Sequence, residues 1–192
     1  MTTTAPITAT VYFGGSRSLP PSAFPLVCSV VSSVLALGAS VSVGCAIGAD
    51  AQVIRAAFRF SSFPRVTIRA AFDASGFGSW RCSAVDLVRF AASCGVPVIW
   101  ASPSLLRARL VARLMARSRA GLVGCSVAVF FAPGPGSLAV ARAAVDRHIP
   151  VYAFSPFAPS APRGCVGSWS PATFAALACW LWSPAQLVLP AD

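Results

Sequence analysis

Apolar positions along this chain fall into two alternating kinds of run. Short β-branched or aromatic stretches read as strands at Thr8–Phe13, Ser40–Val43, Arg65–Ala71, Val96–Trp100, Ser126–Phe131 and Pro150–Phe154. Between them lie longer apolar segments with helical spacing. These predict helices at Phe24–Leu37, stopped by Gly38, from Asp50 through Val53, Ile54 and Ala57, at Ala84–Ser93 before Gly95, at Leu105–Ala120 and at Leu138–Arg147. A proline-rich loop over 155–170 then leads to a last predicted helix, with Pro171 at its N1 position, running to Trp182. Strand alternating with helix predicts a mostly parallel sheet with helices on both faces, an α/β Rossmann-like three-layer sandwich. Right-handed crossovers place every strand-to-helix loop at one edge of that sheet.

Three of those loops carry glycine. Gly14, Gly15, Ser16 and Arg17 follow the first strand, Gly44, Cys45, Ala46, Gly48 and Asp50 follow the second, and Pro133, Gly134, Gly136 and Ser137 follow the fifth. A glycine turn that opens a helix leaves backbone N–H groups free to hold a phosphate, so these residues form the predicted phosphate or nucleotide cradle. Asp50 suits either a helix N-cap or a contact to a ribose hydroxyl, and can serve as both. Cys45 lies where a helix N-terminus is expected to lower a thiol pKa.

Charge adds a partner to this picture. The formal net charge is +10, all the basic residues are arginine, and Lys, Glu and Asn are absent, so an anionic partner is expected. On the helix predicted at 105–120, Leu106, Leu110 and Leu114 form one stripe and Arg109, Arg113 and Arg117 another. With Arg107 beside them, these arginines are the candidate nucleic-acid contacts. Nearby Phe58, Phe60, Phe63 and Trp80 suit core packing or base stacking.

The 192 residues, 56% of them hydrophobic, suffice for a single well-buried domain. Two spans lack charge, 18–49 and 164–191, but prolines and glycines interrupt the first and the apolar part of the second is too short to cross a bilayer. No membrane partner is expected. The opening MTTTAPITAT has neither a basic nor an apolar segment of a secretory signal, which makes the cytoplasm the expected location. Seven cysteines without a C-x-x-C pair, and a single histidine, His148, point to buried thiols and to neither zinc nor another metal. Ser16 and Ser137 have no identifiable base to activate them, so no catalytic constellation is assembled and no cofactor is implied.

The motifs, in order, resemble the Rossmann domain of the DNA-processing protein A (DprA/Smf) family within the SLOG superfamily. VYFGGSR at 11–17 is similar to that family's first strand and G-S-R turn, and SVGCAIGAD at 42–50 to its S-G-G/L-A-x-G-I-D motif. RARLVA at 107–112 resembles R-N-R-I-I-A, with Ala108 in place of asparagine. GSL at 136–138 with Ala141 and Ala144 resembles S-G-S-L-x-T-A-x-x-A, and VYAFSP at 151–156 the closing strand. The resemblance implies binding of single-stranded DNA, a role as a minimal recombination mediator, and self-association, for which the segment with Trp180 and Trp182 is the candidate surface. The alternative is a protein for a free nucleotide or a nucleotide-derived signal. A second branch resembles nucleotide phosphoribohydrolases, whose P-G-G-x-G-T-x-x-E motif ends in a catalytic glutamate, but Val140 occupies that place here.

Overall fold

The computed structural model describes residues 9–60, 63–79 and 81–185. Thr8, where the first strand is predicted to begin, and Trp80 lie outside them. Strands β1 (Thr10–Gly15), β2 (Ser40–Val43), β3 (Val66–Arg69), β4 (Val98–Ile99), β5 (Val127–Phe131) and β6 (Val151–Phe154) pair in parallel. Strands β7 (Gly167–Phe174) and β8 (Leu177–Pro184) complete an eight-stranded sheet of order β4-β3-β2-β1-β5-β6-β8-β7.

Side-chain alternation along β1 explains why the sheet is covered twice. Val11 and Phe13 join one core with Val41, Val43, Val66 and Ile68, packed under α1 (Phe24–Ala36), α2 (Ala49–Arg59) and α3 (Cys82–Ser93). Tyr12 points the other way, with Ala128, Phe130 and Val151, toward α6 (Pro135–Val145). The short α4 (Pro103–Leu106) and then α5 (Leu110–Gly121) complete that second layer. In α1 the buried Val27, Val30, Val31, Val34 and Leu35 recur at three- and four-residue spacing, the stripe a helix needs against a sheet.

The final segment departs from the prediction, because the helix expected from Pro171 to Trp182 is a β-hairpin. β8 runs antiparallel to β6, and β7 pairs with β8 from Gly167↔Pro184 to Phe174↔Leu177. The hairpin buries its aromatics: Trp182 is 4% exposed and meets Trp169 edge-on at 5.3 Å, while Phe174 lies 5.0 Å from Tyr152. Trp180 donates its Nε1 hydrogen to the Ser155 carbonyl. These tryptophans therefore hold the hairpin to the sheet and do not form the exposed helical surface expected of them. Pro171 is tolerated because β7 is the outermost strand, where a missing N–H costs no ladder bond.

The helix predicted at 105–120 is also divided. Ser102 caps α4, accepting from the Leu105 N–H at 3.3 Å, with Pro103 at N1. Arg109 then takes extended backbone (ψ 147°) before α5 begins. Among the described residues no helix is long and apolar enough to cross a membrane.

Candidate nucleic-acid interface

The strand order reverses at β1. From β1 the chain moves outward through β2, β3 and β4, then returns through α5 to place β5 on the other side of β1. Loops leaving neighbouring strands in opposite directions open a crevice at the carboxyl ends, the position at which open α/β sheets bind ligands. Here the crevice has a volume of about 320 Å3.

One rim is the loop after β1. The Ser16 N–H donates to the Phe131 carbonyl at 2.9 Å, and the Ser16 carbonyl accepts from Ala49 N–H at 2.9 Å, so this loop is anchored to both β5 and the start of α2. Gly15 (φ 153°) and Gly48 (φ 75°) are required by close packing: a Cβ at Gly15 would overlap the Phe131 carbonyl, and one at Gly48 the carbonyls of Ser16 and Arg17. Ser16 Oγ accepts from Ser18 N–H at 3.0 Å, and Arg17 is exposed.

The facing rim is the start of α6. Gly134 is its N-cap with no side-chain cap, Pro135 at N1 has no N–H, and the N–H groups of Gly136 and Ser137 fall in the first turn, where a helix offers no acceptor. Ser137 Oγ donates to the Gly15 carbonyl at 2.7 Å, tying the two rims across 122 residues of sequence. A Cβ at Gly134 or Gly136 would meet nothing within 4 Å. These two glycines therefore keep space open, whereas Gly15 and Gly48 fill it.

The floor holds a buried ion pair. Arg117 Nη1 lies 3.0 Å from Asp50 Oδ2, with the side chains 8% and 7% exposed. The same carboxylate oxygen accepts the Ala46 N–H at 3.0 Å, so Asp50 fixes the second glycine loop from inside the first turn of α2, whose N-cap is Gly48. Gly44 makes this possible, since a Cβ there would overlap the Arg117 guanidinium. Burial opposes the charge on Arg117, but Cys45, Asp50 and Tyr12 raise its pKa above the ordinary arginine value. Arg113 is buried as well, donating to the carbonyls of Gly78 at 2.8 Å and Leu106 at 3.2 Å. The arginine stripe is thus partly inverted: Arg113 and Arg117 face inward as structural cations, while Arg107 and Arg109, at the break between α4 and α5, stay exposed.

Of the residues expected at the site, Gly14, Gly15, Ser16, Arg17, Ala46, Asp50, Gly134, Gly136, Ser137 and Arg117 line the crevice. Gly44, Cys45, Gly48 and Pro133 are not part of its lining. The Cys45 thiol is buried, accepts from the Ala71 N–H at 3.2 Å, and has its pKa pushed up by burial. The expected lowering by a helix terminus is overturned by that loss of water. The walls add residues that the glycine pattern does not signal: Tyr12, Phe130 and Val140, with Leu110, Leu114 and Met115 of α5. Burial pushes the Tyr12 phenol up to about 12, so it stays neutral beside Ser118.

The fold and crevice define a Rossmann-like protein whose ligand seat lies between β1 and β5. Comparison of sequence alone matches no family model and no curated protein. Comparison of structure does find likenesses, among them two structures of DNA processing protein A. The protein from Helicobacter pylori, in a structure addressing its single-stranded DNA binding mode, is 16% identical with a TM-score of 0.62 over 78% of this chain and 66% of that one. The protein from Streptococcus pneumoniae is 19% identical with a TM-score of 0.63 over 78% of this chain and 51% of that one. The chain has the DprA-like fold and spans about two thirds and about half of the lengths of these two proteins.

Proposed function

We propose that this protein binds single-stranded DNA by its sugar–phosphate backbone, with a phosphate seated between Ser16 and Arg17 on one rim and the Gly136 and Ser137 N–H groups on the other. The observation that carries this reading is the open start of α6. Two free donors face a serine and an arginine, and no side chain fills the space above Gly134 and Gly136. A net charge of +10 supplies attraction at a distance, and Arg107 and Arg109 extend the basic surface from the end of the crevice. The fold shared with DNA processing protein A supports the same assignment.

Labelled single-stranded DNA should be retained with an affinity whose logarithm falls by about 0.7 per log unit of salt for each phosphate neutralised. Gly136→Val would project into open space and adds no helix-propensity cost, so it should abolish retention while leaving thermal stability near that of the parent. Arg107→Ala with Arg109→Ala should weaken binding and flatten the salt slope by about one unit. Undiminished binding by Gly136→Val would refute the proposed seat.

The apolar walls favour one second reading, a free nucleotide or nucleotide-derived signal. Tyr12, Phe130, Leu114 and Val140 enclose a volume at the lower end of the range for small-molecule pockets. Mononucleotide binding that survives about 0.5 M salt, with single-stranded DNA unable to compete, would select it, since a backbone track loses affinity steeply with salt. Val140 offers no proton or charge, so that reading is a binding function without glycosidic hydrolysis.

A further inference from the structure

A second cavity, of about 300 Å3, lies behind the loop that forms the first rim of the crevice, lined by Leu19, Pro21, Phe24, Gly48, Gln52 and Arg55. The two share a wall one backbone thick. Ser18 lines the crevice and Leu19 the second cavity, and consecutive Cα atoms stand only about 3.8 Å apart.

The chemistry of this cavity is set by Gln52. Its Nε2 donates to the carbonyls of Leu19 at 3.2 Å and Pro20 at 2.9 Å, so both amide hydrogens are committed and the orientation of the amide is fixed. That leaves Oε1 as an acceptor. Gln52 is 5% exposed, and its Oε1 is buried with no hydrogen-bond partner among the described residues. A buried acceptor left unmade is costly, which makes a ligand bearing an N–H donor the natural complement. Phe24 supplies an aromatic wall, with the Arg59 guanidinium 5.2 Å from its ring centroid. Arg55, three residues along α2 from Gln52 and on the same face, is exposed at the rim. No hydrogen bond or ion pair engages it among the described residues.

An acceptor, an aromatic wall and a rim cation in a cavity of this size match one ligand class. We propose that this second cavity is a base subsite, holding a nucleobase with an exocyclic amino group that donates to Gln52 Oε1, with Arg55 on the phosphate of that nucleotide. This inference rests on the backbone reading above, since the strand reaches the cavity by crossing the Ser16–Leu19 loop from the crevice. Adenine and cytosine present an amino group to Oε1. Thymine presents only an imino N–H flanked by two carbonyls, which would face the same oxygen.

The test is competition between short oligonucleotides of one base type, read by fluorescence anisotropy on the full chain. Oligo(dA) or oligo(dC) should bind about tenfold more tightly than oligo(dT), the scale of one buried hydrogen bond. Gln52→Met should erase that preference. Because Gln52 also holds the loop, Phe24→Leu and Arg55→Ala serve as independent variants: each should reduce the preference while oligo(dT) binding, seated in the crevice, persists. Equal affinity for all three oligonucleotides, with Gly136→Val still abolishing binding, would overturn the base subsite and leave the backbone reading standing. Absence of binding to any oligonucleotide would remove both.

Discussion

Replacing Asp50 by asparagine isolates the charge of the buried pair beneath the crevice. The amide keeps an oxygen for the Ala46 N–H and nearly the same volume, so the main loss is the attraction to Arg117, 3.0 Å away with both side chains under a tenth exposed. At a charge separation near 4 Å and an effective dielectric of 20 that attraction is about 4 kcal/mol. The cation stays buried, and its Nε already has no partner among the described residues. Removing one member of such a pair typically costs about 3–5 kcal/mol, a large part of the roughly 5–15 kcal/mol that holds a domain together. Arg117→Met should cost less, because Asp50 retains the Ala46 N–H and the favourable field at the start of α2. Combining the two should cost less than the sum, with a coupling of about 1–3 kcal/mol. Equilibrium urea denaturation of the parent, both single variants and the double variant measures all three quantities. An Asp50→Asn variant within about 1 kcal/mol of the parent would refute the view that this pair anchors the second glycine loop to α5.

Other expectations follow from local geometry. The β7–β8 turn places Ala175 (φ 53°) and Ala176 (φ 61°) in left-handed backbone, so Ala176→Gly should stabilise the protein by about 1 kcal/mol, seen as a higher urea midpoint. The Tyr12 phenol has its folded pKa raised by burial from 10.0 to about 12, so its contribution is complete below pH 10 and is lost as pH rises toward 12. Tyr12→Phe should blunt that part of the alkaline loss, about 1.4 kcal/mol for each pH unit between those two values, as read from denaturation at pH 9, 10 and 11. The remaining decline comes from thiols such as Cys125, raised to about 11 by burial, which Tyr12→Phe leaves unchanged.

The parallel part of the sheet was legible because its strands are β-branched runs too short for helices and its helices stop at glycines. The hairpin was not. Its two-residue turn is Ala-Ala, where the expected signal is Asn-Gly, and alanine is the strongest helix former, so 171–182 reads locally as helix. Packing of Trp169, Phe174 and Trp182 against the sheet overrides that preference. The glycine loops at 14–17 and 134–137 announced the crevice, since free backbone there has few other uses. Spacing in α5 gave two stripes without saying which would turn inward; Gly44, which makes room for a guanidinium, and Asp50, which neutralises it, decide that in three dimensions. The apolar walls were hidden because residues such as Tyr12 and Phe130 look like ordinary strand positions.

The placement of Pro171 on β7 has a further consequence. A sheet that grows by adding a hairpin to one side acquires a new open border, and such a border invites a strand from another molecule to continue it. Proline offers no donor to that newcomer, so the ladder cannot propagate past the middle of β7. The same residue that hides the hairpin in the sequence thereby guards the folded chain against fibrillar growth.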